Sequence, residues 1–213
     1  MVTIFTEKNS IVNNFLAELR DVSIQKDRLR FRKNLERLGE IIAYEISKSF
    51  EYSHKQVQTP LGTVDTHLLK EQPALITLLR AGVPFHQGFL NIFDHADSGF
   101  FGSFRHTKKS GKMEMLNKYS ITPELNGKIV IVIDAMLATG KSMVLTCKEL
   151  LKQYDIKELH IASIIAAEEG IQHVKASIPR AKIWVADVDD EMTTKSYIVP
   201  GLGDAGDLAY GEK

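Results

Sequence analysis

Four short apolar runs, at 74–79, 129–133, 159–166 and 182–186, constrain most strongly what this chain can fold into. Each is rich in Leu, Ile and Val and lacks polar alternation, the pattern of strands covered on both faces. Helical patterns separate the last three: Met143, Cys147, Leu150, Leu151 and Tyr154 share one face, and Ile171, Val174 and Ile178 share another. Strands alternating with helices predict an α/β domain with a twisted, mainly parallel sheet flanked by helices. Upstream, Phe31, Leu35, Leu38, Ile42 and Ile46 recur at spacings of four, three, four and four, one stripe of a helix that packs by that stripe. Its other side carries Lys26, Arg28, Arg30, Arg32, Lys33 and Arg37 interleaved with Asp27 and Glu36, and reads as a solvated face.

The segment from Gly99 to Tyr119 breaks the alternation with two extended arms around a Gly-containing turn, a β-hairpin flap. No linker, repeat or low-complexity tract follows or precedes it. The whole of 1–213 is therefore expected to be one domain, with an N-terminal helical segment to about residue 58 and the flap at about 99–119. A chain of this length buries roughly 70% of its unfolded surface. Lys plus Arg and Asp plus Glu both number 27, so no net field attracts nucleic acid or an anionic membrane, and an anion site must be local. Cys147 is the only cysteine; it excludes an internal disulfide and a cysteine-based zinc site, and its place on a buried stripe makes it a small core residue. No stretch approaches the ~18 apolar residues of a membrane span, and the opening MVTIFTEKNS is not a leader, which together predict a cytoplasmic protein. The histidines lack metal-site spacing, so His86, His95 and His106 are expected at the surface, and Asp187, Asp189, Asp190 and Glu191 in a solvated loop.

The chemistry concentrates in KIVIVIDAMLATGKSM, residues 128–143, where a buried strand ends in Asp134 and a loop with Gly140 leads into a helix. Ligands of open α/β sheets bind at this carboxyl edge. Backbone N–H groups from Ala138 to Ser142 would converge at the positive end of the helix and suit a phosphate dianion, with Thr139 and Ser142 hydroxyls as further donors. Asp134 can accept hydrogen bonds from two ribose hydroxyls. The same spacing also suits an ordinary strand–turn–helix. Two further segments stand out: TLLRAG at 77–82, a strand running into Arg80, and YIVPGLGDAGD at 197–207.

VIDAMLATGKSM is similar to the phosphoribosyl diphosphate loop of the uracil phosphoribosyltransferases, usually Asp-Pro-Met-Leu-Ala-Thr-Gly-Gly-Ser. Seven of the nine positions match, with Ala135 in place of Pro and Lys141 in place of Gly. A left-handed backbone at 141 would strain a lysine by ~1–2 kcal/mol; the hypoxanthine-guanine enzymes carry Thr-Gly-Lys-Thr there, and Lys141 is expected to be relaxed in the same way. Leu-Arg-Ala-Gly resembles the stretch in which that family's arginine meets the diphosphate. YIVPGLGDAGD matches the family's uracil-recognition loop without a substitution, and LRD at 19–21, ERLGEIIAYE at 36–45, TPLG at 59–62 and IIAAEEGI at 164–171 extend the likeness along the chain. It is poorest in the flap, where Phe104-Arg105-His106 replaces Tyr-Arg-Asp, and at Leu208, where the family has arginine.

The resemblance implies a C-terminal base-binding hood loop and transfer of the phosphoribosyl group of 5-phosphoribosyl 1-diphosphate to uracil, giving UMP and diphosphate. Arg80, Arg105, Asp134 and Asp204 would be the catalytic residues. Phosphoribosyl diphosphate would meet these four together with Ala135, Met136, Leu137, Ala138, Thr139, Gly140, Lys141 and Ser142. Uracil contacts fall on Ile198, Gly203, Asp204 and Ala205. Backbone groups in such a loop can read uracil's acceptor–donor–acceptor edge because, unlike a side-chain amide, they cannot flip to suit cytosine. Magnesium would be bound by the substrate with no direct side-chain ligand, the chain would form a homo-oligomer (dimer or tetramer), and GTP is a candidate effector. The rival is a non-catalytic regulator of the same fold that senses phosphoribosyl diphosphate or uracil, or transfer to another base.

Overall fold

Ile129, Ile131 and Ile133 join one core cluster and Val130 and Val132 the other, so the run at 129–133 is a strand buried on both sides. The computed structural model in which this is seen describes residues 1–107 and 113–212, of which 103–107 and 113–118 by backbone alone. In chain order the first half gives β1 (Val2–Ile4), α1 (Ile11–Arg20), α2 (Arg28–Ser47), β2 (Tyr52–Thr59), β3 (Gly62–Leu69), β4 (Ala74–Leu78), α3 (Gly82–Ile92), β5 (Asp97–Thr107) and β6 (Met113–Ile121). The second half gives β7 (Ile129–Ile133), β8 (Met136–Leu137), α4 (Lys141–Gln153), β9 (Glu158–Ala167), α5 (Glu168–Ser177), β10 (Lys182–Asp189), β11 (Glu191–Met192), β12 (Ile198–Val199) and α6 (Ala205–Tyr210).

The main sheet runs β1-β10-β9-β7-β4-β5-β6, with β8 extending against β9; every neighbouring pair is parallel except β5 with β6. Helices α1, α2 and α3 cover one face through Leu16, Leu35, Leu38, Phe85 and Phe89, and α4 and α5 cover the other through Met143, Cys147, Leu150, Ile171 and Val174. Chain order reverses between β4 and β7. β4 leads outward to β5, whereas β7 leads the other way through β9 and β10, so the crevice at their carboxyl ends is the topological switch point where such sheets bind ligands.

Several expectations change. The N-terminal helices end at Ser47, and residues 52–59 are a strand of the β2–β3 hairpin, whose polar residues are exposed on both sides and give no periodic stripe. The flap is the outer end of β5 and β6, whose inner ends belong to the main sheet, so it grows from the scaffold. His86 is in the core and not at the surface: its Nδ1 meets Thr77 Oγ1 at 2.6 Å and its Nε2 meets Ser98 Oγ at 3.1 Å, and burial pushes its pKa down to about 4. Cys147 is buried as expected, and burial pushes its thiol up to about 12. Among the described residues, no helix is long and apolar enough to cross a membrane.

Candidate active site

Strand β7 delivers Asp134 to the carboxyl edge, next to the end of β4 that delivers Arg80. Asp134 is partly accessible yet closely surrounded by protein. Burial is the larger influence and pushes its pKa up to about 7, while the Met136 and Ala135 amides that hydrogen-bond it pull the other way. The chain then resumes pairing as β8 against Ile165 and Ala166 before turning into α4.

That turn depends on two glycines in close approach. Gly140 is left-handed (φ 71°), the conformation a residue with Cβ disfavours, and caps α4. A Cβ on Gly170 in α5 would lie 2.2 Å from the Ala138 carbonyl, so the loop can lie on α5 only because residue 170 has no side chain. His173, one turn on, donates from Nδ1 to the Thr139 carbonyl at 2.8 Å. With these carbonyls turned toward α5, the first-turn amides of α4, including Ser142 and Met143, remain as donors at a positive helix end. Lys141 opens α4 with ordinary helical backbone and an exposed side chain; among described residues other than glycine only Ser196 has positive φ (63°). The relaxed form expected for Lys141 is the one present.

A cleft of about 460 Å³ lies over this loop, lined by Asp134, residues 136–143 and, opposite, residues 194–197. The opposite wall is a tight turn in which Thr193 N–H donates to the Tyr197 carbonyl and Ser196 N–H to the Thr193 carbonyl, both at 2.8 Å. The chain then enters β12, where the Ile198 side chain is buried, passes a cis Val199–Pro200 bond, and turns at Gly201 (φ 58°). Gly203 is exposed; Asp204 accepts from the Gly206 and Asp207 amides as the cap of α6; Ala205 is buried. Gly203 and Asp204 line a second hollow of about 380 Å³ with Lys26, Arg28, Asp207 and Leu208, so the loop's start and end face different openings.

Arg80 reaches the same loop from the other side. Its Nη2 donates to Asp207 at 2.8 Å and its Nη1 to the Gly211 carbonyl at 3.3 Å, while its buried Nε has no partner among the described residues. Arg105 lies in β5 opposite Met115, and its side chain lies outside the described residues, as do those of Phe104 and His106. Half of the acidic run departs from the solvated loop expected: Asp189 is buried and with Asp187 takes the guanidinium of Arg20, whereas Asp190 and Glu191 are exposed. Sequence reasoning missed Arg20, Asp189, His173 and Asp207. The LRD and IIAAEEGI segments pointed to the neighbourhoods of Arg20 and His173 without giving either residue a partner.

The model of the family described as "Uracil phosphoribosyltransferase" matches residues 6–212. The chain belongs to the uracil phosphoribosyltransferase family. A Porphyromonas gingivalis protein named uracil phosphoribosyltransferase is 46% identical over 207 residues, 97% of this chain and 96% of that one. A Pyrococcus furiosus protein of the same name is 37% identical over 209 residues, 97% and 88% of the two chains. A solved protein structure from Aquifex aeolicus superposes with a TM-score of 0.86 at 31% identity, covering 99% of this chain and 98% of its own. The uracil phosphoribosyltransferase likeness therefore spans both the loop after β7 and the loop after β10. Among the described residues no three His, Cys, Asp or Glu side chains converge on a point where they could hold a metal.

Proposed function

We propose that the chain transfers the phosphoribosyl group of 5-phosphoribosyl 1-diphosphate to uracil, yielding UMP and diphosphate. The observation that carries this reading is the cleft between the helix-capping loop at 138–142 and residues 194–197, which lead into the uracil loop, with Asp134 in its lining. The first offers amides and hydroxyls to a 5-phosphate, the second a main-chain edge to the base, and Asp134 as carboxylate accepts from the ribose hydroxyls between them. N1 of uracil bonds to the anomeric carbon as the bond to diphosphate breaks. Diphosphate leaves with the bonding electrons, the N1 proton is lost, and positive charge develops on the sugar ring in between. Arg80 and Arg105 are assigned to the leaving group, for which Arg80 must exchange its Asp207 partner for diphosphate oxygens.

A magnesium ion suits oxygen donors such as the diphosphate and ribose oxygens of the substrate rather than a dedicated protein cage, and when bound it would supply charge neutralisation for the leaving group. A homo-oligomer is supported by the β2–β3 ribbon, which is exposed on both sides with Tyr52, Leu61, Val64 and Leu68 open to solvent. Isolated two-stranded ribbons are marginal in water, and a second copy would cover this one. Diphosphate release measured across uracil, cytosine, hypoxanthine and orotate tests the reading. Release with uracil alone is expected; binding of phosphoribosyl diphosphate without release on any base would favour the regulator.

A further inference from the structure

Gly201 is the point at which the uracil loop doubles back, and both of its main-chain polar groups are held by a charged pair from elsewhere. Its N–H donates to Asp189 Oδ2 at 2.9 Å, and its carbonyl accepts from Arg20 Nη1 at 2.8 Å. Arg20 and Asp189 also bind each other in the two-pronged manner, Nη1 to Oδ2 and Nη2 to Oδ1, both at 2.8 Å. Nη2 reaches Asp187 at 2.7 Å as well, and Asp187 takes the Thr6 hydroxyl at 2.7 Å. The next loop carbonyl, that of Leu202, accepts from Gln25 Nε2 at 3.2 Å. A Cβ at 201 would sit 2.1 Å from the Ile198 carbonyl, so the chain there is folded as tightly as backbone allows.

This arrangement is more than a surface ion pair. The Asp189 side chain is only 6% exposed and that of Arg20 20%, so the bonds act where water competes poorly, and the paired fork fixes direction as well as distance. Neither side chain lines the cleft. Just beyond the held peptide, Gly203, which lines the second hollow beside the cleft, keeps both its N–H and its C=O free of hydrogen bonds among the described residues. A loop that reads a base edge with main-chain groups discriminates only if those groups cannot turn. Rotating the peptide at 201 would swing Ile198 on one side and Gly203 on the other.

We infer that Arg20, paired with Asp189, is a positioning residue for base selection: it holds the Gly201 peptide so that the loop's main chain presents one fixed donor and acceptor pattern. This rests on the reading of the cleft as a uracil site. It makes the helix α1 terminus, some 180 residues away in sequence, part of the specificity apparatus, and leaves the phosphate loop untouched.

The test is steady-state diphosphate release with uracil and with cytosine, in the wild-type chain and in Arg20→Lys, Asp189→Asn and Gln25→Ala, alongside thermal unfolding. Arg20→Lys keeps the charge and loses the fork; Gln25→Ala frees the Leu202 carbonyl, together with the Leu19 and Arg20 carbonyls that the same Nε2 reaches at 2.9 and 3.3 Å, without leaving any buried charge unpaired. The expected result is a uracil KM raised about tenfold or more, a smaller uracil-to-cytosine ratio, and a KM for phosphoribosyl diphosphate within about twofold of wild type. Gln25→Ala should move in the same direction by less, and it keeps the test valid if a charge variant fails to fold. A folded Arg20→Lys with unchanged uracil KM and selectivity, or with both substrates' KM raised equally, overturns the inference alone. A wild-type chain that releases no diphosphate with uracil overturns the parent reading, and the inference with it.

Discussion

The loop at 134–143 and the loop at 197–207 meet at one end of the sheet but are held in different ways. The first is set by neighbours close in sequence: a strand end, a left-handed glycine, a helix start, and α5 pressed against it at Gly170. The second is tied by side chains from far earlier in the chain, Arg20, Gln25 and Arg80, together with Asp189, 12 residues before Gly201. A local scaffold suits a phosphate, whose recognition needs only converging amides. If the second loop reads the base, as we propose, its orientation must be fixed from outside.

The sharpest break in this comparison comes from Gly170→Ala. Its added carbon would lie 2.2 Å from the Ala138 carbonyl, so the phosphate loop must move off α5. We expect destabilisation of about 2–3 kcal/mol in urea unfolding and loss of phosphoribosyl diphosphate binding of tenfold or more in calorimetric titration. A variant with wild-type stability and affinity would show that the loop does not depend on α5.

Asp134→Asn comes next, and it separates stability from function. The folded-state pKa of Asp134 is raised from 3.8 to about 7, so the folded chain binds a proton that the unfolded chain has released. The stability contributed by the protonated form is fully present below about pH 3.8 and is lost as pH rises through about 7. At pH 8 the asparagine variant should therefore be the more stable by about 2 kcal/mol, discounted for partial exposure, with the gap closing toward pH 5. Denaturant midpoints at the two pH values check this, and equal midpoints at pH 8 would refute it.

The inner strands β4, β7, β9 and β10, the helices α2, α4 and α5, and the strand–loop–helix at 128–143 were legible in the sequence, because apolar runs and helical stripes are local signals; the edge strand β1 and the helix α3 were not read. The β2–β3 ribbon was not, since residues such as His54, Lys55 and Gln56 are exposed and leave no buried face to read. The partners of Arg20 and Arg80 were invisible for another reason: Asp189 lies 169 residues from Arg20, and Asp207 lies 127 residues from Arg80. His86 was misread because a core histidine satisfied by Thr77 and Ser98 has the same sequence appearance as a surface one.

Two smaller effects sharpen the contrast. His173→Ala removes one hydrogen bond to the Thr139 carbonyl, and we expect a KM for phosphoribosyl diphosphate raised about fivefold, near 1 kcal/mol, with the uracil-to-cytosine ratio unchanged. A changed base ratio would mean that the two loops are coupled. Lys141→Gly should do least: because Lys141 is already helical, affinity stays within a few fold and stability falls by about 0.5–1 kcal/mol. Tenfold tighter binding with a higher melting temperature would show strain at 141.

The account stands most directly on one product measurement. Ring-labelled uracil, phosphoribosyl diphosphate and magnesium are incubated with the wild-type chain and with Asp134→Asn, and labelled UMP and diphosphate are counted over time. The wild type should form the two in equal amounts, and Asp134→Asn should form them about a hundredfold more slowly, because the ribose is no longer held in line. Equal rates from the two proteins, or no UMP from the wild type, would contradict phosphoribosyl transfer in this cleft.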